Sequence, residues 1–189
     1  MIRIGILGDI GSGKSYVAKN FGYPVFNADY EVSKIYQKNK KVFNRLKKIL
    51  PNYLFSFPVN KEEVTNAILN NKKNLNKIIK IIHPEIKKKI NIFLRRNKNK
   101  KIVILDIPLL LENKLDKKND VLVFVLSKKI DIIKRLKKRD NFNQKLLNQF
   151  KKIQLPLKEK KKKSHFVIKN NFTKRSVKMY IKRIIKEIA

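Results

Sequence analysis

Short apolar runs alternate along the chain with longer segments in which apolar residues recur every three or four positions. Runs of this kind predict strands that are buried on both faces, whereas the longer spacing predicts amphipathic helices. We expect five strands, at residues 2–7, 23–27, 101–107, 121–126 and 166–168. Because predicted helices separate these strands, the pattern indicates an α/β protein whose five-stranded parallel sheet is covered by helices.

The predicted helices differ in length and in position. Two helical stretches, near residues 30–50 and 61–97, are long enough to form a helical insertion between the second and third strands. Pro84 lies within the second stretch, and we expect it to begin a new helix, because proline suits a first helical turn and disfavours helical geometry at the residue before it. Shorter helices are expected at residues 16–21, 130–139, 144–153 and 174–188.

The segment directly after the first predicted strand, residues 8–15, follows the pattern Gly-x-x-x-x-Gly-Lys-Ser. Its glycines allow consecutive backbone N–H groups to face phosphate oxygens, and the N-terminus of the following helix extends this anion-binding surface. Lys14 is expected to reach the β- and γ-phosphates, and the Ser15 hydroxyl to bind the Mg²⁺ ion between them. The flanking strand and helix favour a nucleoside triphosphate site over a glycine-rich turn without a ligand. The residues expected to bind ATP are Gly8, Gly11, Ser12, Gly13, Lys14, Ser15 and Tyr16.

Two carboxylates lie near or just past the ends of predicted strands, at the edge of the sheet where ligands of such folds bind. Asp29 comes just after the second strand, where the acceptor hydroxyl of a kinase would lie. It could equally be the N-cap of a helix that begins at Tyr30, and the two roles are compatible. Asp106 falls near the end of the central strand, where a carboxylate commonly helps to hold Mg²⁺ through water, although a purely structural strand-end or capping role is the alternative.

The formal net charge of +34 raises the question of a nucleic-acid partner. Lysine far outnumbers arginine and is spread along nearly every predicted helix, whereas dedicated nucleic-acid surfaces concentrate charge on one face and interleave arginine with aromatic residues. We interpret the charge as a solvated basic surface that favours anionic substrates and makes any RNA binding strongly salt-dependent. No specific nucleic-acid partner is expected, and a functional nucleic-acid surface is the alternative.

Length and composition narrow the class of protein further. The chain has 189 residues, enough for one well-buried core with a small appended subdomain. It has no cysteine and only two histidines, His83 and His165, which argues against disulfides, thiolate metal sites and a histidine zinc site. Neither a secretory leader nor an apolar run of membrane-spanning length is present. We expect a soluble cytoplasmic protein without a membrane partner, as a monomer or a weak homo-oligomer.

Five separated blocks of the chain resemble the dephospho-coenzyme A kinase family. They are residues 8–15, the Asn27-Ala28-Asp29 triplet, His83-Pro84, residues 108–112, and residues 154–160 followed by Val167-Ile168-Lys169-Asn170. Apart from the first, each block is weak evidence, but their order and spacing across almost the whole chain are specific. The resemblance implies a P-loop NTPase fold: a single P-loop kinase domain over residues 1–189, with a helical substrate insertion at about 30–97 and a lid at about 139–163.

The same resemblance implies an activity. Such kinases transfer the γ-phosphoryl group of ATP, with Mg²⁺, to the ribose 3′-hydroxyl of dephospho-coenzyme A in the last step of coenzyme A biosynthesis. Asp29 would orient or deprotonate that hydroxyl, and Lys14 and Arg139 would counter charge on the transferring group. The alternative for Arg139 is an ion pair with Asp140 or another surface carboxylate.

The resemblance also implies an acceptor side. It comprises the predicted helical insertion together with Asp29, His83, Pro108, Leu109 and Glu112. For His83 the alternative is that it merely caps a helix beginning at Pro84.

The chain departs from the family pattern at several positions. Asn27 stands where an acid is usual, so only Asp29 remains of that pair, and His165 stands where aspartate is usual before the last strand. The lid stretch at residues 160–163 is entirely lysine. Two other functions compete with this interpretation: a P-loop kinase for another nucleoside or nucleotide, and, less favoured, an ATP-dependent nucleic-acid-binding protein. The first would need arginines for an extra acceptor phosphate, and arginine is scarce before residue 135.

Overall fold

The computed structural model describes residues 1–140 and 142–188. Within these residues there are five strands and nine helices. The strands are β1 (Ile2–Gly8), β2 (Val25–Asn27), β3 (Ile102–Asp106), β4 (Val121–Leu126) and β5 (Phe166–Lys169). The helices are α1 (Lys14–Asn20), α2 (Ala28–Lys38), α3 (Lys40–Ile49), α4 (Lys61–Asn70), α5 (Lys72–Arg96), α6 (Lys129–Lys137), α7 (Gln144–Ile153), α8 (Leu157–Lys162) and α9 (Lys174–Ile188).

All five strands lie in one parallel sheet in the order β2-β3-β1-β4-β5. The prediction of a five-stranded parallel sheet covered by helices is confirmed. In the register, Ile4 of β1 is aligned with Ile104 of β3 on one side and with Val121 of β4 on the other. All five residues of β3 are buried, which explains its continuous run of branched apolar residues.

The sheet and two helices share one apolar core. Ile4, Ile6 and Ile104 are fully buried in it, and residues of α1 and α9 pack on the same cluster. The helical residues in this cluster are Val17, Ala18, Val177, Ile181 and Ile184. After β1 the chain forms β2 and β3 on one side of it, and then β4 and β5 on the other side. The strand order therefore reverses at β1. Ligands of open parallel sheets bind at the carboxyl ends of the strands beside such a reversal.

The chain divides into two compact units. The sheet unit comprises Met1–Asn27, Leu94–Phe142 and Gln154–Ala189, and the helical unit comprises Ala28–Phe93 and Asn143–Ile153. Within the helical unit, the apolar face of α3 buries Val42, Phe43 and Leu46. The predicted boundaries of the insertion and the lid, and the prediction of a single domain, stay predictions. None of the helices in the described chain is long and apolar enough to cross a bilayer.

The expectation that Pro84 begins a new helix is wrong, because α5 continues through it from Lys72 to Arg96. Apolar residues are buried both before and after the proline, so a single helix keeps this face in the interior; they include Ile78, Ile81, Ile82, Ile86 and Ile90. Pro84 itself is exposed, as is Lys80, whose carbonyl would accept from residue 84 in a regular helix. Burial of the long apolar face offsets the roughly 3 kcal/mol that an internal proline costs.

Candidate active site

The loop between β1 and α1 is stabilised in a conformation that only glycine accommodates at its last position. Gly13 precedes α1 with φ 88°, in the left-handed region that favours glycine. A Cβ atom on Gly13 would collide with the side-chain amide of Asn170 and lie 3.2 Å from the ring of Phe172. The segment after β5 therefore packs directly on the loop.

Lys14 lies inside this loop and not in solvent. Its side chain folds back so that Nζ donates to the carbonyl oxygens of Asp9 at 2.7 Å and Gly8 at 3.3 Å, and the residue is only 8% exposed. Ser15, the next residue, is exposed in the first turn of α1. The predicted phosphate-binding lysine and the predicted Mg²⁺ ligand therefore both stand at the N-terminus of α1, which favours anions.

Two side chains from neighbouring strand ends hold the loop from outside. The carbonyl oxygen of Ser12 accepts from Ser127 Oγ and from Asn170 Nδ2, each at 2.9 Å. Ser127 follows β4 and Asn170 follows β5. Sequence reasoning did not assign these two roles, because both residues are far from the loop in the chain and become its neighbours only through the strand order.

Helix α6 closes the other side of the loop. A Cβ atom on Gly11, which has φ 86°, would lie 3.0 Å from Ile132 Cγ2 and from Leu136 Cγ. Backbone and apolar side chains thus meet with no space for a larger residue. The loop is consequently fixed by α6 and by the segments that follow β4 and β5.

A cavity of about 400 Å³ lies beside the loop, at the carboxyl ends of β4 and β5. Residues 126–128, 131 and 169–171 line it, and they include the Ser127 and Asn170 that hold Ser12. Nearby, the guanidinium of Arg135 stacks on the ring of Phe172 at 4.2 Å from its centroid. No local motif signals this cavity, because two segments distant in the chain form it.

Asp106 is buried at the end of β3 and pairs with a side chain of the next strand. It is 3% exposed, and its Oδ2 accepts from Asn27 Nδ2 at 2.7 Å. Asn27 and Asp106 are register partners at the carboxyl ends of β2 and β3. An amide at residue 27 donates to the carboxylate, whereas a second carboxylate there would repel it.

Asp29 belongs to the first turn of α2, which begins at Ala28. The alternative in which Asp29 is the N-cap of a helix beginning at Tyr30 is therefore wrong in its boundary. Asp29 is exposed, and the N-terminus of a helix favours a carboxylate in its first turn. In the chain it follows two residues after Asn27.

The turn after β3 contains three of the residues predicted for the acceptor side. Pro108 and Leu109 are partly buried. Glu112 Oε1 accepts from the backbone N–H of Leu155 at 3.0 Å and lies 2.6 Å from Lys160 Nζ. The structure thus joins the 108–112 and 154–160 blocks, whose contact sequence reasoning did not anticipate.

Two further predicted residues, His83 and Arg139, lie elsewhere. His83 lies in the middle of α5 in the helical unit, where its Nε2 is buried without a hydrogen-bond partner among the described residues. Because no helix begins at Pro84, the capping alternative for His83 is wrong. Arg139 is exposed after α6, and within residues 1–140 and 142–188 it forms no ion pair with Asp140.

Comparison with known proteins yields a family match over most of the chain. The model of the family described as dephospho-CoA kinase matches residues 2–175. A dephospho-CoA kinase from Wolbachia sp. subsp. Brugia malayi is 30% identical over 191 residues, covering 98% of this chain and 97% of that protein.

Solved structures match the whole fold. A protein from Thermus thermophilus superposes with a TM-score of 0.79 at 25% identity, covering 100% of this chain and 98% of the other. A dephospho-CoA kinase from Campylobacter jejuni superposes with a TM-score of 0.65 at 23% identity, covering 98% and 96%. At that identity the second match supports the fold alone.

Proposed function

Since the chain belongs to the dephospho-coenzyme A kinase family, we propose that it transfers the γ-phosphoryl group of ATP to the ribose 3′-hydroxyl of dephospho-coenzyme A. It is an ATP-dependent kinase with a P-loop fold. The observation that carries the proposal is the loop between β1 and α1, which encloses the ammonium of Lys14 and is held by Ser127 and Asn170. These contacts support the proposal that the loop binds the phosphates of ATP.

The donor end of the site follows from the loop. The phosphates of ATP would lie against the backbone N–H groups at the N-terminus of α1, and Lys14 would exchange the carbonyls of Gly8 and Asp9 for β- and γ-phosphate oxygens. The cavity beside Ser127 and Asn170 has room for the nucleoside. The nearby aromatic and guanidinium groups of residues 172 and 135 present flat surfaces of the kind on which a base stacks.

The residues present fit a magnesium ion held mainly by the nucleotide. Ser15 Oγ and Asp106 offer oxygen ligands, and within the described residues no group of three or more His, Cys, Asp or Glu could hold a metal by itself. Mg²⁺ needs few protein ligands because it keeps several waters and binds substrate phosphates. The ion would neutralise charge on the β- and γ-phosphate oxygens, with Ser15 as its direct ligand and Asp106 as a ligand through water.

Transfer requires an aimed acceptor oxygen and a destination for its proton. The ribose 3′-oxygen would attack the γ-phosphorus in line, the bond from that phosphorus to the β–γ bridging oxygen would break, and ADP would leave with the electron pair. Asp29 would orient the hydroxyl and accept its proton. Arg139 and Lys14 would stabilise the charge that develops on the transferring group.

The resemblance to the family supplies the residues proposed for the acceptor. They are Asp29 in α2, His83 in α5, and Pro108, Leu109 and Glu112 in the turn after β3. The unpartnered Nε2 of His83 can donate to or accept from a polar group of the acceptor.

A panel of acceptors tests the proposal. Purified protein with MgATP, assayed by coupled ADP production at moderate salt, is expected to consume ATP with dephospho-coenzyme A and not with AMP, CMP or pantothenate. A Lys14→Met variant serves as the control for contaminating kinases. ATP consumption that is no faster with dephospho-coenzyme A than without it would overturn the proposal.

A further inference from the structure

Lys160 is a buried cation in a helix whose other lysines are exposed. Its side chain is only 1% exposed, whereas Lys158, Lys161 and Lys162 in the same six-residue helix α8 lie at the surface. Removing an ammonium from water is strongly unfavourable unless a well-placed anion and hydrogen bonds compensate it. The position of Lys160 therefore needs an explanation that the overall basic charge of the chain does not provide.

The compensating anion is Glu112, whose side chain is 9% exposed. One oxygen, Oε1, lies 2.6 Å from Lys160 Nζ and accepts from the N–H of Leu155 at 3.0 Å. The other oxygen, Oε2, is buried and has no hydrogen-bond partner in the part of the chain that the structure describes. Lys160 is consequently the group that neutralises this carboxylate among the described residues, and Glu112 joins the turn after β3 both to α8 and to the segment that precedes it.

The same turn has an apolar anchor on the sheet. A Cβ atom added to Gly5 of β1 would lie only 2.5 Å from Leu110 Cδ2. The turn therefore packs closely on β1. Leu110 is fully buried, and its neighbours Pro108 and Leu109 are partly exposed. The backbone between Asp106 and Glu112 is thus fixed by an apolar contact in its middle and by an ion pair at its end.

We propose that Lys160 is a positioning residue for the kinase reaction: by binding Glu112 in the interior, it holds the turn at residues 107–112 in the orientation that receives the acceptor. This proposal rests on the proposed function, in which Pro108, Leu109 and Glu112 belong to the acceptor side. The pair acts on acceptor binding and not on ATP binding, because the loop that encloses Lys14 is fixed by other contacts.

Steady-state kinetics of Lys160→Met, with Lys161→Met as the matched exposed control in the same helix, test the proposal. We expect Lys160→Met to raise the KM for dephospho-coenzyme A about tenfold or more while the KM for ATP changes less than about twofold. Lys161→Met is expected to leave both values unchanged. A merely structural role would lower the amount of active enzyme and the melting temperature without separating the two KM values.

A double variant keeps the test decisive if Lys160→Met leaves too little folded protein. In Lys160→Met with Glu112→Gln, no unpaired charge remains in the interior, so folding is expected to recover while the KM for dephospho-coenzyme A stays raised. A wild-type acceptor KM in either folded variant, or an equal rise of both KM values, would overturn the proposal. Wild-type protein that does not phosphorylate dephospho-coenzyme A would instead overturn the proposed function, and this proposal with it.

Discussion

The side-chain amide of Asn27 donates to Oδ2 of Asp106 at 2.7 Å, across the carboxyl ends of two neighbouring parallel strands. The family resemblance predicts an acid at this position, whereas asparagine supplies a hydrogen-bond donor to the buried carboxylate. The amide fixes the orientation of Asp106 without adding a second negative charge next to the proposed phosphate site.

Asn27→Ala removes the amide that donates a hydrogen bond to Oδ2 of the buried Asp106. We expect the free energy of unfolding to fall by about 1–3 kcal/mol and the Mg²⁺ concentration needed for half-maximal activity to rise. Denaturant unfolding and a Mg²⁺ titration of activity measure the two effects. Asn70→Ala, which removes an exposed side-chain hydrogen bond within α4, is the control and is expected to change stability by less than about 0.5 kcal/mol. Equal effects of the two substitutions would contradict the role given to Asn27.

Asp29→Asn tests the proposed proton acceptor. Because an amide cannot take the proton of the acceptor hydroxyl, we expect kcat to fall at least about a hundredfold while the dissociation constant for ATP stays the same. Calorimetric ATP titration and steady-state turnover separate the two quantities. Glu31→Gln changes the other acidic residue of the same helical turn and is expected to retain turnover. If Asp29→Asn weakened ATP binding instead, Asp29 would be a structural residue.

Asn170→Ala tests the support of the phosphate-binding loop. The Asn170 side chain donates to the carbonyl of Ser12. The substitution therefore removes one of the two hydrogen bonds that hold Ser12, and leaves the one from Ser127. We expect ATP to bind about tenfold more weakly, with a much smaller change in the KM for the acceptor. Asn20→Ala, which removes an exposed hydrogen bond in α1, provides the comparison. An unchanged ATP affinity in Asn170→Ala would show that the loop keeps its shape without this bond.

Tyr36 makes stability depend on alkaline pH. Burial raises the pKa of its phenol from 10.0 to about 12 because the charged form loses its hydration in the interior. Because folding favours the neutral phenol, Tyr36 contributes to the free energy of unfolding. This contribution is fully present below about pH 10 and is lost as the pH rises through about 12. Two pKa units correspond to about 3 kcal/mol.

Tyr36→Phe isolates that contribution from the titration of the many lysines, which both proteins share. Denaturant unfolding at about pH 9 and about pH 12 is expected to show a loss of stability that is larger in the wild type than in Tyr36→Phe by up to about 3 kcal/mol. Parallel pH profiles for the two proteins would contradict the assigned burial of Tyr36.

The sequence was sufficient for features that depend on nearby residues. The glycines, Lys14 and Ser15 of the phosphate-binding loop lie within eight consecutive residues. The buried strands are predicted by their continuous runs of branched apolar residues. The local preference of proline predicts a helix start at Pro84, whereas the long apolar face on both sides of this residue keeps α5 intact. In that case tertiary burial outweighed local preference.

Contacts between segments that are distant in the chain could not be predicted from the sequence. The family resemblance marks Asn27 as a departure from the expected pattern, but its bond to Asp106 follows only from the pairing of β2 with β3. Lys160 is the first of four consecutive lysines, and no periodicity in the sequence distinguishes this buried lysine from its exposed neighbours. The supports of the loop, Ser127 and Asn170, likewise depend on the order of strands in the sheet.

The proposed reaction transfers the γ-phosphoryl group of ATP to a single hydroxyl of dephospho-coenzyme A. Phosphorus NMR and mass spectrometry identify the product after the purified protein is incubated with MgATP and dephospho-coenzyme A. We expect coenzyme A that carries the new phosphate on the ribose 3′-oxygen, formed in equal amount to ADP and absent with Asp29→Asn on the same timescale. Phosphate at another position, or release of inorganic phosphate with the acceptor unchanged, would contradict the proposed reaction.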